Sequence, residues 1–184
     1  MKGVIFTEFL EMVEEKFGLE MTDTIIIDSK LPSEGAYTAV GNYPHNEIIT
    51  LVLALHQQTQ IPVRDLLVTF GRFLFGRLAD RYGILMKGIN DPFQLLENLE
   101  VVIHQEVKKL YSDAKTPLIE VVSSTPEKME LTYSSHRSMG DVAEGLILGC
   151  SDFYGVPLSV LRQNLTEDGT KVRFTIKKEQ HGVK

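Results

Sequence analysis

The sequence has little of what marks secreted, membrane-spanning or metal-cluster proteins. Cys150 is its one cysteine, so the chain has no intrachain disulfide and no Cys-x-x-Cys zinc or redox motif. Four glutamates interrupt the apolar N-terminal stretch, which a secretory signal does not tolerate. No apolar run approaches the roughly 18 residues of a membrane span. We therefore expect a cytoplasmic protein without a membrane segment.

Positive charge is also scarce. The 184 residues contain 19 Lys and Arg against 25 Asp and Glu, a formal net charge of -6. This balance argues against nucleic acid or an anionic membrane as the main partner. Hydrophobic residues make up 43% of the chain and charged residues 24%, with no low-complexity tract. We expect one domain over residues 1–184, large enough to bury roughly 70% of its extended-state surface and to enclose a sizeable ligand.

Helical periodicity dominates the first half. It predicts a helix over residues 2–17 and a short helix beginning at Thr22 or Asp23, although its run of three isoleucines is also compatible with a strand. Two more helices begin near Pro44 and Pro62. A further helix begins at Asp91 as the capping residue, with proline in its first turn.

His104 lies at the edge of the apolar stripe of that last helix, which includes Phe93, Leu96, Leu99, Ile103 and Val107. A lone histidine in such a place is more often a hydrogen-bonded core residue than a metal ligand. Zinc is improbable, because it needs three or four protein ligands and the nearby sequence offers no second one. A metal that arrives with its other ligands attached needs one protein donor, and haem iron is that case.

The period changes from helical to two after Pro117. Residues 118–123 and 128–135 predict an antiparallel hairpin, whose second strand has Met129, Leu131 and Tyr133 on one face. Residues 139–154 predict a helix with Val142, Leu146 and Phe153 on one side, and the region around Asp168-Gly169 predicts a second hairpin. The fold class is therefore α+β, with a mostly helical N-terminal part packed on a C-terminal antiparallel sheet with helices. Cys150, on the helix of residues 139–154, is interpreted as an inert core thiol.

The stretch from Tyr133 to Arg137 offers donors for an anion. In an extended chain Tyr133, Ser135 and Arg137 project to one side, while His136 faces away. A phenol, a hydroxyl and a guanidinium suit a carboxylate or phosphate. An ordinary strand end with a solvated arginine is the alternative.

His104, Pro117 thirteen residues later and the Tyr-x-Ser-x-Arg element together resemble the haem nitric oxide/oxygen binding (H-NOX) family over essentially the whole chain. The resemblance implies a haem buried between the helical part and the sheet, with His104 as the proximal iron ligand. Tyr133, Ser135 and Arg137 would hold the haem propionates, and Pro117 and Ile5 would press on the porphyrin. Without a Cys-x-x-Cys-His motif the cofactor would be haem b, bound non-covalently.

The same resemblance places an apolar distal wall opposite His104, formed by Ile5, Phe9, Leu74, Leu78, Val142 and Leu146. Val142 stands where relatives that hold oxygen stably carry a tyrosine. Bound oxygen needs a hydrogen-bond donor, whereas nitric oxide does not. We therefore expect a ferrous haem that binds nitric oxide and carbon monoxide but not oxygen durably.

The resemblance also implies signalling through a partner. Nitric oxide would break the bond between His104 and iron, and standalone bacterial members usually act on a histidine kinase or a cyclic-di-GMP enzyme. The sequence offers no constellation of nucleophile, base and oxyanion donors, so we expect a sensor and not an enzyme. The alternatives are an oxygen- or redox-sensing haem protein, a haem peroxidase, which generally needs a polar distal residue, and a haem-free interaction module.

Overall fold

Helices come first along the chain and strands come last. The computed structural model describes residues 1–110 and 115–179, which form seven α-helices and one four-stranded antiparallel sheet. This confirms the α+β class. The helices are α1 (Gly3–Phe17), α2 (Leu19–Ser29), α3 (His45–Thr59), α4 (Val63–Tyr82), α5 (Pro92–Asn98), α6 (Gln105–Leu110) and α7 (Gly140–Tyr154). The strands are β1 (Leu118–Ser124), β2 (Lys128–Ser134), β3 (Leu158–Asn164) and β4 (Lys171–Lys178).

Two hairpins build the sheet, in the order β1-β2-β4-β3. The register places Leu131 opposite Val121 on one side and opposite Phe174 on the other. Alternate residues of β2 and β4 therefore point into the protein, and Met129, Leu131, Phe174 and Ile176 are at most 1% exposed. The expected face of the second strand is confirmed.

The helix that begins at Asp91 is interrupted, which the sequence did not predict. The Asp91 carboxylate accepts the Phe93 N–H at 2.9 Å, as the capping prediction required. After α5, however, the segment Leu99–His104 widens into a π-helical turn before α6 begins. π-Helical turns are rare overall, but many of those that occur lie at functional sites. The stripe expected from an unbroken helix is therefore rotated partway along.

Two further expectations about helices need correction. The second helix begins at Leu19 and not at Thr22 or Asp23, and its isoleucines are helical because Ile25 packs into the core while Ile27 is 71% exposed. Phe153 does not share the buried side of α7 with Val142. It is 54% exposed and packs against the Phe75 ring, 5.9 Å away between centroids.

The hydrophobic core consists of two clusters. One joins α1 to α4, and the other joins the sheet, α5 and the inner face of α7. Val142 of α7 belongs to the first cluster and Ile147 of the same helix to the second. Helix α7 is thus shared by both parts of the fold.

Helices α4 and α7 meet with almost no side chain between them. A Cβ added at Gly71 or Gly145 would lie closer than 3.0 Å to backbone atoms of the facing helix, a distance that real Cβ atoms essentially never show. Ion pairs hold the two helices on either side of this contact: Arg64 with Glu144, at 2.7 Å and 2.9 Å to the two carboxylate oxygens, and Arg72 with Asp152. Glycine is therefore required where the backbones touch.

A buried carboxylate joins α1 to α4. Glu8 is 2% exposed, and it accepts hydrogen bonds from Arg77 at 3.1 Å and Arg81 at 3.0 Å. Arg77 also binds Glu11. Because a buried carboxylate is costly without partners, these arginines offset the cost of burying the Glu8 side chain.

Candidate functional site

A cavity of about 700 Å³ lies between the two clusters of the core. Its volume is in the range of sites that enclose a small molecule or a cofactor. The lining comes from α1, the start of α3, α4, α5, α6, α7, the π-helical turn, β1, β2, β4 and the loops beside them. Most of these side chains are apolar, so the cavity suits a large apolar ligand.

His104 lines this cavity from the π-helical turn, and its side chain is 13% exposed. Its Nδ1 lies 2.7 Å from the Glu100 carboxylate, and the same carboxylate oxygen accepts the backbone N–H of Ile119 at 2.9 Å. A carboxylate beside Nδ1 favours the tautomer with hydrogen on that nitrogen, which leaves the Nε2 lone pair for a metal. Glu100 was not expected at this site from the sequence, although its spacing of four residues from His104 on a helix indicates the contact.

Five of the six residues expected in the distal wall line the cavity: Ile5 from α1, Leu74 and Leu78 from α4, and Val142 and Leu146 from α7. Phe9 is not among the lining residues. It is fully buried behind them, where its ring meets the Phe70 ring edge-to-face at 5.3 Å. Pro117, expected to press on the porphyrin, does line the cavity.

The anion donors also line this cavity. Tyr133 is 4% exposed, and burial raises the pKa of its hydroxyl, so it remains a neutral donor. The Ser135 hydroxyl accepts the Arg137 backbone N–H at 3.2 Å, and the Arg137 guanidinium donates to the Lys115 carbonyl at 2.8 Å. The three side chains gather although β2 ends at Ser134, because the chain turns there instead of continuing as a strand.

His136 does not face away from the site, contrary to the expectation from strand alternation. Since the strand has ended, alternation no longer applies, and His136 lines the cavity with its ring centroid 6.4 Å from that of His45. His136 is nevertheless exposed, and the nearby charge of Arg137, together with desolvation and the charge of Lys115, lowers its pKa. The positive charges of Arg137 and Lys115 at this edge of the cavity suit an anion.

His104 has no companions for a conventional metal site. Within residues 1–110 and 115–179, no three His, Cys, Asp or Glu side chains come together in a way that could hold a metal ion. Cys150 lines the cavity, but burial raises the pKa of its thiol to about 12. The arrangement fits a metal that needs a single protein donor and that carries anionic groups of its own.

Comparison with known proteins agrees with this chemistry. The family model described as Haem-NO-binding matches residues 2–162. The chain belongs to this family, the H-NOX proteins. H-NOX domains bind haem and form a family of haem-based gas sensors. Among curated proteins the chain has no match.

Solved H-NOX structures share the fold along the whole chain. The Fe(II) unliganded H-NOX protein from K. algicida is 39% identical, with 98% of this chain and 97% of that chain covered and a TM-score of 0.92. The IWP-051-bound H-NOX from Shewanella woodyi in the Fe(II)CO state is 34% identical, with 100% and 97% covered and a TM-score of 0.83. The S. oneidensis H-NOX protein in the Fe(II)NO state is 26% identical, with 98% and 100% covered and a TM-score of 0.89.

As for a membrane, no helix in the part of the H-NOX chain that the structure describes is both long and apolar enough to cross one.

Proposed function

We propose that this H-NOX domain binds haem b non-covalently and senses nitric oxide at ferrous iron. The observation that carries the proposal is that a single cavity of about 700 Å³ contains both His104 and the group Tyr133, Ser135 and Arg137. Haem would need an imidazole donor for its iron and separate donors for its two carboxylates, all around one apolar space.

Each group has one role in this proposal. The Nε2 atom of His104 binds the metal, since Glu100 occupies the Nδ1 side. Tyr133 and Ser135 donate hydroxyl hydrogen bonds to the propionates, and Arg137 offers its charge and its remaining guanidinium N–H groups. Ile5 and Pro117 pack against the ring. When bound, haem supplies the iron that coordinates a diatomic gas.

The gas preference follows from the apolar lining. Ile5, Leu74, Leu78, Val142 and Leu146 offer no hydrogen bond to a bound gas, so oxygen would lack the donor that stabilises its partial charge. Nitric oxide and carbon monoxide do not depend on such a donor. Relatives described in the Fe(II)NO and Fe(II)CO states support these two gases as ligands.

The signal would leave through the segment that carries His104. His104 would hold the metal from the π-helical turn, and loss of that bond on binding of nitric oxide would free the turn to change its position relative to the sheet. A gas shifts a conformational equilibrium only by its different affinity for the two states, and the retention or loss of the His104 bond is that difference. The output would pass to a partner such as a histidine kinase or a cyclic-di-GMP enzyme.

The ligand assignment is tested with His104→Gly. Protein produced with haem should show a Soret band, and the variant should lose its axial ligand and regain a histidine-like spectrum when imidazole is added. His56→Gln is the matched control, because His56 bonds the Ile61 carbonyl away from the cavity, at 2.7 Å. A His104→Gly spectrum identical to that of the parent would refute the assignment.

The anion donors are tested with Arg137→Ala. A charge-assisted hydrogen bond contributes about 1.5–3 kcal/mol, so haem should dissociate roughly 10- to 100-fold faster from the variant. Arg72→Ala is the control, since Arg72 binds Asp152 outside the cavity. Equal dissociation rates for the two variants would contradict the role of Arg137.

Oxygen sensing is the competing function. Adding air to the reduced, haem-loaded protein distinguishes the two, because a durable oxygen-bound spectrum would overturn the proposed gas preference. A protein that takes up no haem at all would instead favour an interaction module.

A further inference from the structure

We propose that Glu100 is a positioning residue that sets how firmly His104 holds the metal and links that bond to the sheet. This inference rests on the proposed function, in which His104 is the metal ligand.

The geometry around Glu100 is convergent. A single carboxylate oxygen, Oε1, lies 2.7 Å from Nδ1 of His104 and accepts the N–H of Ile119 at 2.9 Å. The carboxylate stands among partly buried groups, with 27% of the Glu100 side chain exposed. The oxygen therefore joins the π-helical turn to the first residues of β1, which are far apart in the chain.

Two elements therefore fix the imidazole. Glu100 and His104 belong to the same π-helical turn, so the carboxylate follows the backbone that carries the ring. Ile119 lies two residues after Pro117, which lines the cavity. The N–H of Ile119 belongs to the β1 backbone. If Glu100 moves with the ring, it must therefore break its hydrogen bond to β1.

The chemical consequence concerns the donor strength of Nε2. A hydrogen bond from Nδ1–H to a carboxylate fixes the tautomer and orientation of a ligating histidine and raises its basicity as a ligand. Glu100 thus strengthens the bond from His104 to iron. It also makes the release of His104 compete with a contact to β1, which gives the sheet a direct part in the response to a gas.

The first test compares haem-loaded Glu100→Gln and Glu100→Ala with the parent by resonance Raman spectroscopy. In the ferrous, unliganded protein the stretching frequency of the bond between iron and His104 should fall in both variants. The shift should be smaller for glutamine, whose amide oxygen can accept the same two hydrogen bonds without the charge. Glu97→Gln, an exposed residue of α5, is the matched control and should leave the frequency unchanged.

The outcomes separate this inference from the proposed function. An iron–histidine band that is present in the parent and unchanged in both Glu100 variants overturns the role of Glu100 alone. Haem-loaded parent protein without any such band overturns the proposed function.

A second test does not depend on the stability of Glu100→Ala. In His104→Gly, free imidazole can donate to Glu100, whereas 1-methylimidazole cannot because its second nitrogen carries a methyl group. The preference for imidazole over 1-methylimidazole should be stronger in His104→Gly than in His104→Gly/Glu100→Gln. We expect a difference of about 10-fold, the lower end of the usual range for losing such a partner, because glutamine keeps the acceptor and loses only its charge. Glutamine has the same size as glutamate, so an equal preference in both backgrounds would overturn the inference.

Discussion

Replacing Gly145 by alanine should force α4 and α7 apart. A Cβ on Gly145 would lie 2.8 Å from the Gly71 Cα atom, against an ordinary contact distance of 3.4 Å, and closer still to the Val68 carbonyl oxygen. These are backbone atoms, so no rotamer change can relieve the contact. The ion pairs on either side of the contact oppose separation of the helices.

The free energy can be worked out from two opposing effects. Overpacking costs about 1–3 kcal/mol, and rigid backbone neighbours place this site near the upper end. Alanine gains about 1 kcal/mol over glycine in helix propensity. We therefore expect a net destabilisation of about 2 kcal/mol for Gly145→Ala. At roughly 2–4 °C per kcal/mol for a chain of this size, its Tm should fall by about 4–8 °C.

Gly76→Ala is the matched control, because an added Cβ there meets no atom within 4 Å. It keeps the propensity gain without the clash, so its Tm should rise by about 2–4 °C. Thermal unfolding followed by circular dichroism measures both shifts on protein in the same haem state. Shifts of the same sign in the two variants would refute the reasoning. Since α7 also carries Val142, which lines the cavity, Gly145→Ala should in addition shift the Soret band.

Three further predictions concern charged and ionisable groups. Removing both arginines that bind buried Glu8, with Arg77→Met and Arg81→Met, should lower the free energy of unfolding by roughly 3 kcal/mol in urea titrations. Glu8→Gln on that background should restore most of it, and no loss in the double variant would contradict the role of the arginines. The Cys150 thiol, whose pKa burial raises to about 12, should resist iodoacetamide at pH 8 until denaturant is added, and rapid native alkylation would contradict its burial. Burial alone would raise the pKa of the Asp91 carboxyl, but its lysine partner and the helix N–H groups lower it. Its stabilising contribution should therefore be present above about pH 3.9 and be lost below it, and urea titrations of Asp91→Asn should show a weaker fall in stability there.

Sequence patterns predicted the features of the fold that depend on regular helix and strand geometry. Strand alternation placed Met129, Leu131 and Tyr133 on one face, and capping chemistry placed the start of α5 at Asp91, because each rule involves neighbours along the chain. The same alternation failed for His136, since the strand ends at Ser134 and the rule ends with it.

Local sequence patterns did not predict two other features of the structure. The π-helical turn at Leu99–His104 interrupts a sequence whose apolar spacing suits an ordinary helix. Phe9 lies behind the cavity instead of on its wall, and its ring packs against that of Phe70 of α4, which residue spacing does not show. Tertiary packing selects among the conformations that the local pattern permits, and residue spacing does not predict which one is selected.

The position of the cavity also bears on folding cooperativity. Because the cavity lies where the two hydrophobic clusters meet, its apolar walls come from both of them. A ligand bound there would contact the side chains of both clusters. It would also stabilise the folded protein by mass action, to an extent set by its concentration and affinity. We therefore expect haem supply to affect how cooperatively the helical part and the sheet unfold. The abundance of folded protein in a cell would follow its haem supply before any gas is encountered.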